Sequence, residues 1–260
     1  MLKLYSLISG SSGNCSVVSD GRTHIMIDCG TSGKRAFEAL KAIDIDPGAL
    51  KSIFVTHEHS DHIRGVGVVA RKLKIPVYAT HGTHAEMGIG NIDDSQMMFV
   101  TPDIPVAIND IEITPHSIPH DAEEPCCYSF SDGKDKVTIA TDIGFMPASL
   151  LSRISGSKSI ILESNHDIDM LMYGEYPYPL KQRIMGNFGH LSNESAAETA
   201  LKLIKSGTEH IMLGHLSDKN NRPEIAQLVT YNYLTDNEIN VGKDATLQVA
   251  ARYDITRFPE

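Results

Sequence analysis

Seven consecutive residues, Thr56-His57-Glu58-His59-Ser60-Asp61-His62, place three histidines and an aspartate directly after the apolar run Ser52-Ile53-Phe54-Val55. Imidazole and carboxylate are the side chains that hold borderline divalent cations, and a strand feeding straight into such a cluster aims them at one cavity. The fold must therefore end a strand at a rim and bend there into a helix. His57 and His59, at alternate positions of an extended turn, can face one ion. Asp61 and His62, displaced toward the helix, suit a second. A solvated, histidine-rich turn is the competing reading, and both the ligand density and the preceding strand weigh against it.

The order of elements supplies such a rim more than once. Residues 2–8, 15–19 and 23–28 read as short strands, split by the loop Ser9-Gly10-Ser11-Ser12-Gly13-Asn14 and a turn at Gly21. Ser32 is placed to cap a helix running through Ile43, and residues 51–56 form the strand that delivers the histidines. Helical spacing resumes over 62–73, followed by a strand at 76–80 and a short helix near 81–88. Strands are expected at 97–100, 105–108, 111–118, 126–131 and 136–141, the last pair joined by Ser131-Asp132-Gly133-Lys134. The second half mixes strands at 158–162, 209–214 and 245–251 with helices near 167–173, 179–186, 192–206 and 223–236. No low-complexity tract or long linker divides the chain, so residues 1–260 are expected to form a single domain. Two sheets stacked face to face, with helices outside, would bury these strands and leave a site along one rim.

Composition limits the partners. The chain has 260 residues and 41% hydrophobic content, enough for a core, yet no apolar run reaches membrane-spanning length. The start, Met1 to Ile8, lacks the features of a signal peptide, and a cytoplasmic location without membrane partners is expected. Cys15, Cys29, Cys126 and Cys127 show no Cys-x-x-Cys pairing and read as reduced core residues. A formal charge of -10 repels polyanions over the surface as a whole, so a nucleic-acid substrate would have to be drawn by a local positive site, which divalent cations can supply.

Three later residues stand at strand ends where the same rim is revisited: His120 after strand 111–118, Asp142 after Val137-Thr138-Ile139-Ala140-Thr141, and His215 after Ile211-Met212-Leu213-Gly214. A carboxylate such as Asp142 can bridge two cations and shield their repulsion. Each residue alone is an ordinary strand terminator, but their joint placement favours a shared site. His116, earlier in the strand that precedes His120, falls on another face or deeper.

With these residues together, the chain resembles the metallo-beta-lactamase-fold hydrolases, whose His-x-His-x-Asp-His signature matches His57, His59, Asp61 and His62. His120, Asp142 and His215 fall in that family's chain order. The YycJ/WalJ-type branch is resembled more closely. The features are Ser9-Gly10-Ser11-Ser12-Gly13-Asn14, His120-Asp121-Ala122 with Pro125, Glu163-Ser164-Asn165-His166-Asp167, Gly189-His190-Leu191-Ser192-Asn193, and His215-Leu216-Ser217 with Asn220-Asn221. The resemblance implies an α+β fold of four layers, an αβ/βα sandwich. It also implies a dinuclear centre of two divalent ions (zinc or manganese, with iron also accepted) and exonucleolytic phosphodiester hydrolysis of DNA. The related tRNase Z enzymes add a Glu, matched by Glu163, and a leaving-group acid, matched by His190. The phenylalanine of their Glu-Ala-Thr-Phe motif is His166 here, a substitution that offers a phosphate contact or a proton relay.

In the chemistry so implied, two cations acidify a bridging water to the attacking hydroxide, Asp61 orients it, and His190, kept protonated by Glu163, serves the departing oxygen. His190 and Glu163 also have plain readings, as a residue ahead of the helix at 192–206 and as a salt-bridged rim carboxylate. Asp28 either accepts the outer N–H of a ligand histidine or caps the segment after Gly30. Ser11, Ser12 and Asn14 can offer hydroxyl and N–H groups to a phosphate or simply form a turn. Asn165 and His166 are substrate-contact candidates, as are Ser217, Asn220 and Asn221, though polar capping before Pro223 explains these last three nearly as well. Tyr173, Tyr176 and Tyr178, among prolines, can stack on bases, but packing of a loop is the favoured expectation. Rivals are a thioester or lactone hydrolase on the same fold, which has less need of a dedicated acid, and a non-catalytic metal-binding regulator, which has no need of an open dinuclear site. About seventy residues separate Asp142 from His215, too few for a long clamping insertion.

Overall fold

The computed structural model describes residues 1–258. The opening apolar runs pair as an antiparallel meander of β1 (Lys3–Ile8), β2 (Cys15–Ser19) and β3 (His24–Ile27). From β3 onward the sheet turns parallel through β4 (Leu50–Phe54), β5 (Val77–Ala79) and β6 (Met97–Phe99). Parallel neighbours need crossovers. These are α1 (Gly33–Ala42), α2 (Ser60–Ile63) with α3 (Val66–Leu73), and α4 (His81–Glu86).

The second sheet repeats the plan. The strands β7 (Val106–Ile108), β8 (Ile111–Ser117), β9 (Cys126–Ser131) and β10 (Lys136–Ala140) are antiparallel, and β11 (Ser159–Glu163), β12 (His210–Gly214) and β13 (Thr246–Val249) continue in parallel. Around these strands run α5 (Ala148–Ile154), α6 (Ile168–Tyr173), α7 (Tyr178–Met185), α8 (Asn193–Lys205) and α9 (Pro223–Asp236). β14 (Thr256–Phe258) returns to the first sheet and pairs with β1.

Alternation along each strand sorts the side chains into four layers. Ile25 and Ile27 of β3 meet Ile113, Tyr128 and Phe130 of the facing sheet, while Met26 turns outward to Ala36, Leu40 and Val69 on the helices. On β12, Met212 faces the intersheet core and Ile211 and Leu213 face Ala200, Leu203 and Leu234. Phe54, fully buried, stacks on Tyr78 at 4.5 Å between ring centres and meets Tyr128 edge-on at 5.3 Å, which pins the last residue of β4 where the histidine cluster begins. The α+β, αβ/βα sandwich expected from the sequence is the observed architecture.

Three details differ from expectation. The helix expected over 62–73 is broken at Gly65, where an added Cβ would stand 2.2 Å from the Thr31 carbonyl oxygen and 2.7 Å from the Cys29 sulfur, so the two pieces turn independently and Asp61 and His62 both sit on α2. The strand expected at 245–251 stops at Val249, and β14 and α5, neither expected, complete the two layers they join. Among the described residues no helix is long and apolar enough to cross a membrane. All four cysteines are buried and free.

Candidate metal centre

Backbone geometry at the rim follows from three residues in the left-handed region: Asp28 after β3 (φ 55°), Asp142 after β10 (φ 60°) and His215 after β12 (φ 56°). Each turns the chain sharply as it leaves its sheet, and none is glycine, so each carries strain held in place by its surroundings. The Asp28 N–H donates to the Phe54 carbonyl at 2.8 Å and the His215 N–H to Ser9 Oγ at 2.8 Å.

Hydrogen bonds then fix the rings. Asp28 Oδ1 accepts from the Thr56 N–H, and Oδ2 accepts from Thr56 Oγ1 at 2.8 Å and His62 Nδ1 at 2.7 Å. With its proton given to Asp28, the Thr56 hydroxyl accepts from His57 Nδ1 at 3.0 Å. His120 Nδ1 donates to the Gly189 carbonyl at 3.2 Å, and His215 Nδ1 donates to Glu163 Oε1 at 2.8 Å. Four imidazoles are thus protonated at Nδ1 and present a bare Nε2 inward. Asp28 is engaged with His62 and Thr56, while Ser32 caps α1.

The inward atoms converge in two groups. His57 Nε2 lies 3.0 Å and His120 Nε2 3.3 Å from His59 Nδ1. Asp61 Oδ2 lies 3.5 Å from both His62 Nε2 and His215 Nε2. Asp142 stands between the groups, 3.3 Å from His62 and 3.8 Å from His120. Within His57, His59 and His120, within Asp61, His62 and His215, and within His57, His62 and Asp142, the donor atoms all fall inside 4.8 Å of one another. Asp142 Oδ2 and His215 Nε2 are buried without any hydrogen-bond partner. Lone pairs this close repel unless a cation lies among them, and this nitrogen and oxygen donor set suits a divalent metal.

Charge agrees with that fit. Burial opposes charging His215, yet Asp142, Asp61 and Glu163 lift its pKa to about 10. Burial likewise opposes the ionised Asp61 and Asp142, but His62 and His215 hold both below the usual carboxylate range. His57, with no paired carboxylate, is driven down by burial and by His62. The centre attracts positive charge, and a divalent ion answers that field more fully than protons do.

Glu163, at the end of β11, is fully buried rather than a rim carboxylate. Its Oε1 accepts from His190 Nδ1 and His215 Nδ1, both at 2.8 Å, and its Oε2 accepts from the N–H groups of Ile143 at 2.7 Å and Leu191 at 3.2 Å. Burial would raise its pKa, but His190 and His215 keep it well below the carboxylate range. His190 lines the cavity, about 260 Å³, with His59, Asp61, His120, Asp142 and His215.

The substrate-contact candidates divide by position. Ser11 and Ser12 are exposed, and Ser11 lines the cavity mouth. Asn14 is buried, accepts from the Gly10 N–H and sets its amide nitrogen 3.0 Å from His62 Nε2, a contact that a bound ion would displace. Asn165 donates to the His215 carbonyl at 2.9 Å, and Ser217 Oγ accepts from the Asn220 N–H, so both brace the loop after β12. His166 is buried with Nδ1 unpartnered, and burial lowers its pKa to about 4. His116 points away, to Ser129 and Asp103. The packing expected of the tyrosine-rich stretch is met only in part: Tyr176 is half-buried, but Tyr173 is 88% and Tyr178 63% exposed on the short α6 and α7. Arg183, which sequence reasoning missed, lines the cavity and is held by Asp121. Its only signal is its place seven residues before His190, on a helix whose exposed face has no period to read.

Comparison with known proteins agrees with this geometry. The family model described as the metallo-beta-lactamase superfamily matches residues 8–215. The chain is 38% identical to a Bacillus anthracis protein named exodeoxyribonuclease YycJ, over 91% of this chain and 90% of that one. It is 36% identical to a Streptococcus pneumoniae protein named exodeoxyribonuclease WalJ, over 92% and 91% respectively. A solved metallo-beta-lactamase fold protein, YhfI from Bacillus subtilis, superposes with a TM-score of 0.72 at 14% identity, over 98% of this chain and 99% of that one, a likeness of fold. Signature, fold and relatives coincide, and the chain belongs to the metallo-beta-lactamase superfamily, in the family that includes YycJ and WalJ.

Proposed function

We propose that the chain is a metal-dependent hydrolase, a phosphodiesterase that trims DNA from its ends. Its relatives' name, exodeoxyribonuclease, supports the substrate class. In this reading His57, His59 and His120 would hold one divalent ion and Asp61, His62 and His215 a second, with Asp142 shared. Zinc and manganese both suit such a donor set, and iron is accepted too. When bound, the ions acidify water and draw charge from the phosphoryl oxygens. The protein's own groups do the rest. Asp61 orients the attacking water, and Asp28 keeps His62 turned inward through its Nδ1. His190 donates a proton from its cavity-facing nitrogen to the departing sugar oxygen, while Glu163 holds the opposite edge of the ring.

The observation that carries this reading is the buried Glu163 bonded to His190 at 2.8 Å beside the metal cluster. A thioester or lactone leaves with less help, whereas a deoxyribose alkoxide needs a proton. The chain should therefore degrade end-labelled duplex DNA with added zinc or manganese. His190→Ala should slow that reaction by about 10²-fold or more and slow bis(p-nitrophenyl) phosphate, whose leaving group needs little protonation, far less. A wild-type protein silent on phosphodiesters but active on thioesters overturns the reading. Because ligands come from both halves of the sequence, we take residues 1–260 to work as one domain. The free cysteines support a cytoplasmic setting.

A further inference from the structure

Close in sequence to the residues of the cavity the chain exposes aromatic side chains: Phe188, two residues before His190, is 62% exposed and Phe145, three after Asp142, is 45% exposed, while Tyr178 stands exposed on α7, the helix that carries Arg183, and Tyr173 on α6. They are tied to the centre by backbone. The Phe188 carbonyl accepts from the N–H of Asp121, the residue after His120, at 3.1 Å. Gly144, next to Phe145, abuts the same loop so closely that a Cβ there would stand 2.1 Å from the Asn187 carbonyl oxygen. Lys181 Nζ donates to the carbonyls of Met172 and Gly174 at 2.8 and 2.7 Å, lashing the end of α6 to α7. The segments that carry the aromatic rings are therefore braced, and Arg183 of α7 reaches the cavity lining.

Within a chain of net charge -10, Arg183 puts a guanidinium in the lining of the cavity; Asp121 engages its Nε, which leaves its two terminal nitrogens for a further anion. An uncovered apolar face with a guanidinium at its inner edge, continuous with a phosphodiester-cleaving site, suits a ligand made of alternating flat rings and anions. Bases offer such rings only where they are unpaired.

We propose that this rim binds a single-stranded segment of the polynucleotide, with bases stacked on Phe188 and Tyr178 and a backbone phosphate held by Arg183. The inference rests on the phosphodiesterase reading and sharpens it: a frayed or overhanging end binds better than a duplex closed at both ends.

The test uses the metal-loaded protein and a short fluorescent phosphorothioate oligothymidylate, which resists cleavage, in an anisotropy titration. Phe188→Ala and Tyr178→Ala should each weaken binding about tenfold, the loss of roughly one stacked base. Phe188→Trp should retain binding, whereas Phe188→Leu, apolar but without a π face, should behave like the alanine variant. Equal binding by wild type and the Phe188→Ala, Tyr178→Ala double variant overturns the platform, as does a Leu variant that binds like wild type. Sedimentation showing that Phe188→Ala turns a dimer into a monomer assigns the face to a second copy and also overturns it. Wild-type turnover of bis(p-nitrophenyl) phosphate is measured alongside. Its absence defeats the phosphodiesterase reading, while its presence with unchanged oligonucleotide binding defeats only the platform.

Discussion

Glu163→Gln removes one charge without changing shape, and the four donors around the carboxylate make its consequence calculable. In one amide orientation the Gln oxygen keeps the two Nδ1–H donors of His190 and His215, and its NH₂ confronts the N–H groups of Ile143 and Leu191, donor against donor. Two buried N–H groups then lose their acceptor, at about 1–3 kcal/mol each. In the other orientation the NH₂ faces the imidazoles, which must move their protons to Nε2, and His215 can no longer direct a lone pair at the metal. The first route gives about 2–6 kcal/mol of lost stability with the metal retained; the second gives a smaller loss with metal depleted. Urea unfolding and metal content by mass spectrometry, on one preparation, read both. A Gln variant within about 1 kcal/mol of wild type and with a full complement of metal refutes the view of Glu163 as the group that orders this side of the site.

Two further outcomes follow from the groups around the centre. Asp28→Asn keeps the volume but loses the carboxylate that orients His62 through Nδ1, and metal affinity measured by chelator competition should fall about 10–100-fold; an unchanged affinity refutes a need for the carboxylate's charge at that position. Burial holds the folded pKa of His166 near about 4, below its ordinary 6.5, so the unfolded chain takes up the proton first. The neutral ring's contribution is fully present above pH 6.5 and is lost as pH falls toward 4, by about 3 kcal/mol. His166→Phe should flatten that part of the stability curve in urea titrations, and parallel curves for the two proteins contradict the assignment.

Much of this was legible because the site is built at strand ends, where an apolar run followed by a polar ligand is visible in one dimension. The cluster at His57 to His62, and His120, Asp142 and His215, all announce themselves in that way. Glu163 and His190 needed the family likeness, since a carboxylate after a strand and a histidine before a helix have commonplace explanations. What was hidden depends on tertiary contact. Gly65 breaks a helix because of Thr31 and Cys29, and Arg183 matters because α7 leans over the cavity. β14 is too short to stand out until β1 offers it an edge. The tyrosines of α6 and α7 misled in the opposite sense, since prolines and aromatics in sequence look like packing material and only exposure reveals otherwise.

The left-handed turns at Asp28, Asp142 and His215 bear on whether such a centre can be moved. Grafting its side chains onto another pair of sheets would reproduce the donor set but not its aim, because an ordinary strand exit points those residues elsewhere. A host would have to hold three L-residues in a backbone shape that disfavours them by roughly 1–2 kcal/mol apiece. Transplantation therefore begins with the bends and the bonds that clamp them, Phe54 to Asp28 and Ser9 to His215, and only afterwards with the ligands.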